Sequence, residues 1–280
     1  MSLLILNLFW QVSVLAIITI GLAVIFGQLR IMNMAHGELV MIGAYAPVIT
    51  SALGLPAPVQ IVVCLVTVGV AALLMERLVI RHFYGRPFDS LLATWGLSIL
   101  LREIVELIFG RGYQSVPQTL PGTVSIIGAD YPIYRLAVMV GVVVFFAALF
   151  FWYRRSRVGT EIQAMVENPQ LAEACGINTR RLSTGAFVFG SLTAGVAGMI
   201  LAPTIRVEPM MGLDYLIRSF FSLVVGGLGS FEGLFIGVGM IAGSQSFIGS
   251  LFNQTYGYLF ILILSIVFLW LKPNGIYRKS

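Results

Sequence analysis

A chain of 280 residues that is 58% hydrophobic, only 10% charged and net +5 departs from soluble averages toward a polytopic membrane protein. That balance excludes a soluble enzyme, and the positive residues are spread between apolar runs rather than gathered into a nucleic-acid patch. Two cysteines, Cys64 and Cys175, are too few and too separated for a disulfide framework or a metal site.

Nine hydrophobic segments are expected, near residues 3–27, 31–53, 57–80, 88–109, 133–153, 182–204, 215–229, 231–250 and 258–271. Each approaches the ~20 residues needed to cross a bilayer, although the seventh is short. The predicted fold is all-α, a polytopic transmembrane bundle of about eight to nine segments forming one integral membrane domain over 1–280. The N-terminus has no basic region and no small-residue cleavage pattern, so it reads as the start of a retained span.

The first two segments meet through a polar stretch carrying Asn33, His36 and Glu38. Such groups facing lipid would cost several kcal/mol, so they are expected to face protein or a wet cavity around a break near Gly37. Alternatively they cap and pack a helix end at the cytoplasmic interface. At the end of the third segment Glu76 can pair locally with Arg77 and Arg81, and His82 reads as interfacial. In the fourth segment Thr94 and Ser98, four apart, share a face on either side of Trp95 and Gly96. Their hydroxyls either bond their own helix or line a polar path.

Residues 110–132 form the main outside loop, rich in turn residues, which either contacts a docked protein or simply connects helices. The next loop, 154–181, is the long polar run of the chain, entered by Arg154, Arg155 and Arg157 and left by Arg180 and Arg181, the bias of a cytoplasmic loop. Within it Asn168 suits an N-cap, Pro169 a first helical position and Gly176 a left-handed stop, which predicts a two-turn helix from Pro169 to Cys175. Leu171, Ala174 and Cys175 would form an apolar ridge facing outward. That ridge either enters a partner's groove or folds back on neighbouring loops.

Gly185, Gly190, Gly195 and Gly198 mark the sixth segment as a closely packed interior helix. Arg218, about a turn into the seventh, needs a partner, and Asp214 at i−4 is the nearest. Gly226, Gly227, Gly229, Ser230, Glu232 and Gly233 make an inside turn. It is not a phosphate loop, since no GxxxxGK[ST] pattern exists. GELVMIG at 37–43 and EGLFIGVG at 232–239 each open a glycine-containing apolar helix, as an internal transporter repeat would. With the 154–181 loop inside, the N-terminus lies outside and the C-terminus inside. Twelve Lys and Arg, among them Arg278 and Lys279, then fall inside, against Arg111, Arg135 and Arg206 outside.

Three stretches, IMNMAHGELVMIGAY, RSRVGTEIQAMVENPQLAEACGIN and VVGGLGSFEGLFIG, occur in the order and positions seen in one family. The chain resembles permease subunits of bacterial ABC importers for branched-chain amino acids, urea or short-chain amides. The resemblance implies that the cytoplasmic loop is the element coupling to an ATPase, carried here by Pro169, Leu171, Ala172, Glu173, Ala174 and Gly176. It also implies a second permease subunit, two cytoplasmic ATPases that bind ATP and Mg, a periplasmic solute-binding protein and a place in the inner membrane. The chain itself has no nucleotide site and is expected to bind no cofactor, so ATP energy would reach it mechanically, through alternating access. LLATWGLSILL at 91–101 looks more like the urea or amide branch, with branched-chain amino acids as the alternative. The path is expected to involve Asn33, His36, Glu38, Thr94, Trp95, Ser98 and Arg218. Two other classes compete: a secondary transporter, and an intramembrane hydrolase using His36 and a serine, for which no GxSxG elbow is present.

Overall fold

A computed structural model describes residues 2–126, 129–227 and 231–272. Eleven α-helices are described: α1 (Ser2–Leu29), α2 (His36–Ala52), α3 (Ala57–Leu78), α4 (Pro87–Phe109), α5 (Ile133–Arg155), α6 (Arg157–Glu167), α7 (Pro169–Ala174), α8 (Thr179–Leu201), α9 (Met211–Gly226), α10 (Phe231–Leu251) and α11 (Gln254–Leu271). All but α6 and α7 coincide with the nine apolar segments. Six of them, α1, α3, α5, α8, α10 and α11, are long and apolar enough to cross a membrane. Helix α4 carries four charged side chains, while α2 and α9 have 17 and 16 residues, roughly 25 Å each, short of a full hydrocarbon thickness. An outer surface of bare aliphatics, among them Val66 on α3, Leu107 on α4, Val143 on α5 and Ile266 on α11, suits hydrocarbon rather than water.

The two faces of the bundle follow from side-chain contacts. Tyr131 Oη donates to Leu6 O at 3.2 Å, Arg135 to Asn7 Oδ1 at 3.2 Å, and Tyr134 Oη to Ile200 O at 2.7 Å. The starts of α1 and α5 and the end of α8 therefore share one face, and α8 runs antiparallel to α1. On the other face Glu76 Oε1 accepts from Tyr84 Oη at 2.8 Å and Thr184 Oγ1 at 3.0 Å, joining the end of α3 to the start of α8. Glu76 is 2% exposed, so it serves as this buried acceptor instead of forming the expected pairs with Arg77 and Arg81. Burial, followed by its bond to the Glu76 carboxylate, pushes the Tyr84 phenol up.

The two halves are related by an internal two-fold. A Cβ on Gly21 would stand 2.2 Å from Gly190 O, and one on Gly190 2.5 Å from Gly21 O; Gly37 and Gly212 are reciprocal at 2.2 and 2.3 Å. These glycines let α1 cross α8 and α2 cross α9 backbone to backbone. The same operation matches α2 on α8 with α9 on α1, α3 on α8 with α10 on α1, and α2 on α4 with α9 on α11. A repeat is present, then, but α1–α4 correspond to α8–α11, so the partner of the Gly37 region is the start of α9, not the 232–239 stretch. The turn residues Gly229 and Ser230, like Arg278 and Lys279, lie outside the described residues.

The loop 110–132 is more ordered than a connector. Its end forms an antiparallel hairpin of β1 (Thr123–Ile126) and β2 (Ala129–Pro132), with Thr123 opposite Pro132 and Val124 opposite Tyr131. This is a local departure from an all-α chain.

Candidate functional site

The polar stretch between the first two helices lies in the interior. Arg30, at φ 53°, is the one non-glycine residue with positive φ among the described residues; its left-handed turn closes α1 and reverses the chain. Residues 31–35 run back along α1, and α2 begins at His36, whose Nε2 lies 3.0 Å from Ile18 O and donates to it. Ile18 stands eleven residues before the end of α1, so α2 starts roughly 16 Å inside the bundle. The expected break is therefore internal; the interfacial alternative, a helix end capped at the cytoplasmic surface, does not hold. The physical reason is the Gly37–Gly212 contact, which draws the start of α2 against the start of α9.

Every backbone group of such a buried link needs a partner. Thr94 helps: its hydroxyl accepts from the Met34 amide at 3.0 Å, and its one proton is shared between Ser90 O of its own helix at 2.7 Å and Met32 O at 3.0 Å. Asn33 Oδ1 accepts from the Ala35 amide at 3.1 Å, while its Nδ2 and His36 Nδ1 are buried without a partner. One turn further, Glu38 Oε1 accepts from Ser98 Oγ at 2.8 Å and pairs with Arg102 Nη2 at 2.9 Å. Glu38 is 2% exposed and the Arg102 side chain 17%, so this ion pair is withdrawn from solvent. Glu38 Oε2 and Arg102 Nε remain unpartnered.

The structure thus brings Asn33, His36, Glu38, Thr94 and Ser98 together at the start of α2. It leaves out Trp95, 57% exposed on the outer side of α4, and Arg218, which lies on α9. Arg218 makes no ion pair with Asp214; its guanidinium lies 4.4 Å over the Tyr258 ring and 5.3 Å over that of Tyr215. Asp214 is exposed, while the half-buried Arg218 keeps its guanidinium over the rings, so the i−4 spacing that suggested a pair does not make one. Arg102 was missed. The available signal was its i+4 spacing from Ser98 in the Thr94, Ser98 row, which marks it as the third member of one helix face.

At the arginine-rich face the polar loop folds into two helices. Asn168 Oδ1 accepts from the Leu171 amide at 3.0 Å, and Gly176 adopts φ 83°, as the capping signals required. Helix α7 closes at Ala174, with Cys175 as its cap. Leu171, 61% exposed, Ala174 and Cys175 form the outward ridge, whereas Ala172, 3% exposed, faces in. Helix α6 was not foreseen. Ser156 caps it, Gly159 packs against the Tyr153 carbonyl, and Ile162 and Met165, three apart, bury its inner side. Among the described residues no cluster of His, Cys, Asp and Glu could hold a metal ion.

Comparison with known proteins places this arrangement. Residues 4–269 match the family described as "Branched-chain amino acid transport system / permease component". The chain is 30% identical to the high-affinity branched-chain amino acid transport system permease protein LivH of Salmonella typhimurium, over 95% of its own length and 92% of that protein's. It is equally similar to LivH of Escherichia coli K12, at 30%, and 27% identical to the corresponding permease protein BraD of Pseudomonas aeruginosa over the same shares. No solved structure matches it.

Proposed function

The chain belongs to the branched-chain amino acid permease family, and from that premise we propose that it forms the membrane path of an ABC importer for branched-chain, hydrophobic amino acids. It is a multi-pass inner-membrane permease component, and ATP is hydrolysed by separate subunits. The relatives favour this substrate class over urea or short amides, and the site agrees. The Thr94 and Ser98 hydroxyls that would have served an amide are committed to the Met32–Met34 link and to Glu38.

The observation that carries the path is the start of α2, a helix N-terminus inside the bundle beside a shielded ion pair. In membranes, interrupted helices of this kind mark solute sites, because they offer backbone donors and a dipole at depth. Asn33, His36, Glu38 and Arg102 would border the path, and substrate would pass along the junction with a second permease subunit. Movement is driven from the arginine-rich face. The ridge of Leu171 and Ala174, together with Glu173, would sit in an ATPase groove, with Pro169 and Gly176 fixing the two ends of α7. Ala172 would hold α7 onto α6. In this orientation the N-terminus is periplasmic, and a binding protein delivers solute at the face of the 110–132 hairpin.

The test is uptake by vesicles holding the chain with its second permease, two ATPases and binding protein. Labelled leucine, isoleucine and valine should accumulate with ATP; accumulation of urea or acetamide in their place would reject the substrate assignment. Accumulation without ATP would favour a secondary transporter.

A further inference from the structure

The two-fold pairs the α2–α4 interface with the α9–α11 interface, and the two differ in charge. In the first, an arginine meets a carboxylate of the same chain, Arg102 with Glu38. In the second, Arg218 makes no ion pair among the described residues; its guanidinium lies over the faces of Tyr258 and Tyr215, and its Nε is buried without a hydrogen-bond partner. Beside it opens a cavity of about 640 Å³ bounded by α1, α5, α8, α9, α10 and α11, with Asn7 and Arg135 also in its lining.

The cavity is lined by many polar groups, among them Asn7, Gln11, Arg135, Thr204, Gln245 and Gln254 besides Arg218. Gln245, 2% exposed, lines it with Nε2 unpartnered, and Gln11 lines it with Oε1 unpartnered. Burying an amide donor without a hydrogen bond is costly, which a folded chain tolerates where the group has a task. An arginine and an amide N–H together are a donor set for an oxyanion, and Gln11 Oε1 adds an acceptor for an ammonium or hydroxyl. Leu4, Val14, Leu201 and Ile205 form an apolar part of the wall.

We propose that this cavity binds the oxyanion end of a small amphipathic molecule, with Arg218 and Gln245 holding the oxyanion and the aliphatic wall holding the apolar part. Two sources share that chemistry. One is the carboxylate of a branched-chain amino acid entering from the outer face, which rests on the transport reading above; the other is the phosphate of a membrane phospholipid, which does not.

The experiment uses the assembled transporter in detergent, with radiolabelled leucine binding measured by scintillation proximity and phosphatidylglycerol retention by native mass spectrometry. Arg218→Met should weaken whichever ligand binds at least tenfold, and Arg218→Lys should restore part of it. Gln245→Leu is the discriminating variant: it should weaken binding severalfold while the melting temperature stays level or rises, because an unpartnered buried amide is removed. Loss of leucine alone identifies the substrate; loss of phosphatidylglycerol alone identifies lipid. Wild-type levels of both in Arg218→Met, or a fall in melting temperature with unchanged binding in Gln245→Leu, would overturn the proposal. If the complex imports urea yet the cavity still retains phosphatidylglycerol through Arg218, the transport reading fails and this one stands.

Discussion

Glu38 and Arg102 define what a single residue can do here. The carboxylate is almost wholly enclosed, whereas the guanidinium keeps a partial outlet, so the two halves of the pair are not equivalent. Arg102→Met strands a buried negative charge and should destabilise the chain by about 3 kcal/mol or more, whereas Glu38→Gln should cost less. Adding Glu38→Gln to Arg102→Met should recover most of the loss, as thermal melting of the four proteins in one detergent would report. If the losses of the single variants simply add, the two groups are not coupled. Gly37 is constrained differently. Its missing Cβ leaves room for the Gly212 carbonyl at 2.2 Å, and backbone cannot step aside as a side chain could. Gly37→Ala should cost about 1–3 kcal/mol through overpacking, whereas Gly96→Ala, with open space around it, should be neutral in the same melting series.

At the scale of elements, the α6–α7 pair separates a structural side from a free one. Asn168→Ala removes the bond to the Leu171 amide and should loosen α7 by about 1 kcal/mol, seen as faster amide exchange across 169–175 with the bundle unchanged. Leu171→Glu leaves the cap and the buried Ala172 intact but puts charge on the exposed ridge. The melting temperature should stay constant while copurification of the ATPase subunits and ATP-driven uptake are lost. Retained uptake would remove α7 from the coupling path. Helix α6 matters to this argument because α7 is too short to stand alone. Ile162 and Met165 give it a base, and their three-residue spacing sat in the sequence among enough polar residues to pass as loop.

Across the whole molecule, the internal repeat would suit an alternating-access mechanism. Two short helices, α2 and α9, start back to back at Gly37 and Gly212 and run to opposite faces, so a rotation that opens one end tends to close the other. Topology can be checked with the native thiols, since Cys175 is exposed and Cys64 is buried in α3. A membrane-impermeant maleimide should label Cys175 in inside-out vesicles and leave intact spheroplasts unlabelled; the reverse pattern would invert the bundle. Helix positions, the capping of α7 and the close packing of Gly190, Gly195 and Gly198 in α8, though not of Gly185, which has open space around it, were legible from sequence, because each depends on neighbours within a turn or two and on the length of an apolar run. The depth at which α2 begins, the choice of Tyr258 over Asp214 by Arg218, the recruitment of Arg102 to Glu38 and the matching of α2 with α9 were decided by tertiary structure alone. Each joins groups sixty or more residues apart, or breaks a tie between a near partner and a distant one. Local spacing can propose such contacts, but the packing of helix on helix, at Gly37 and Gly212 among other close crossings, decides which of them forms.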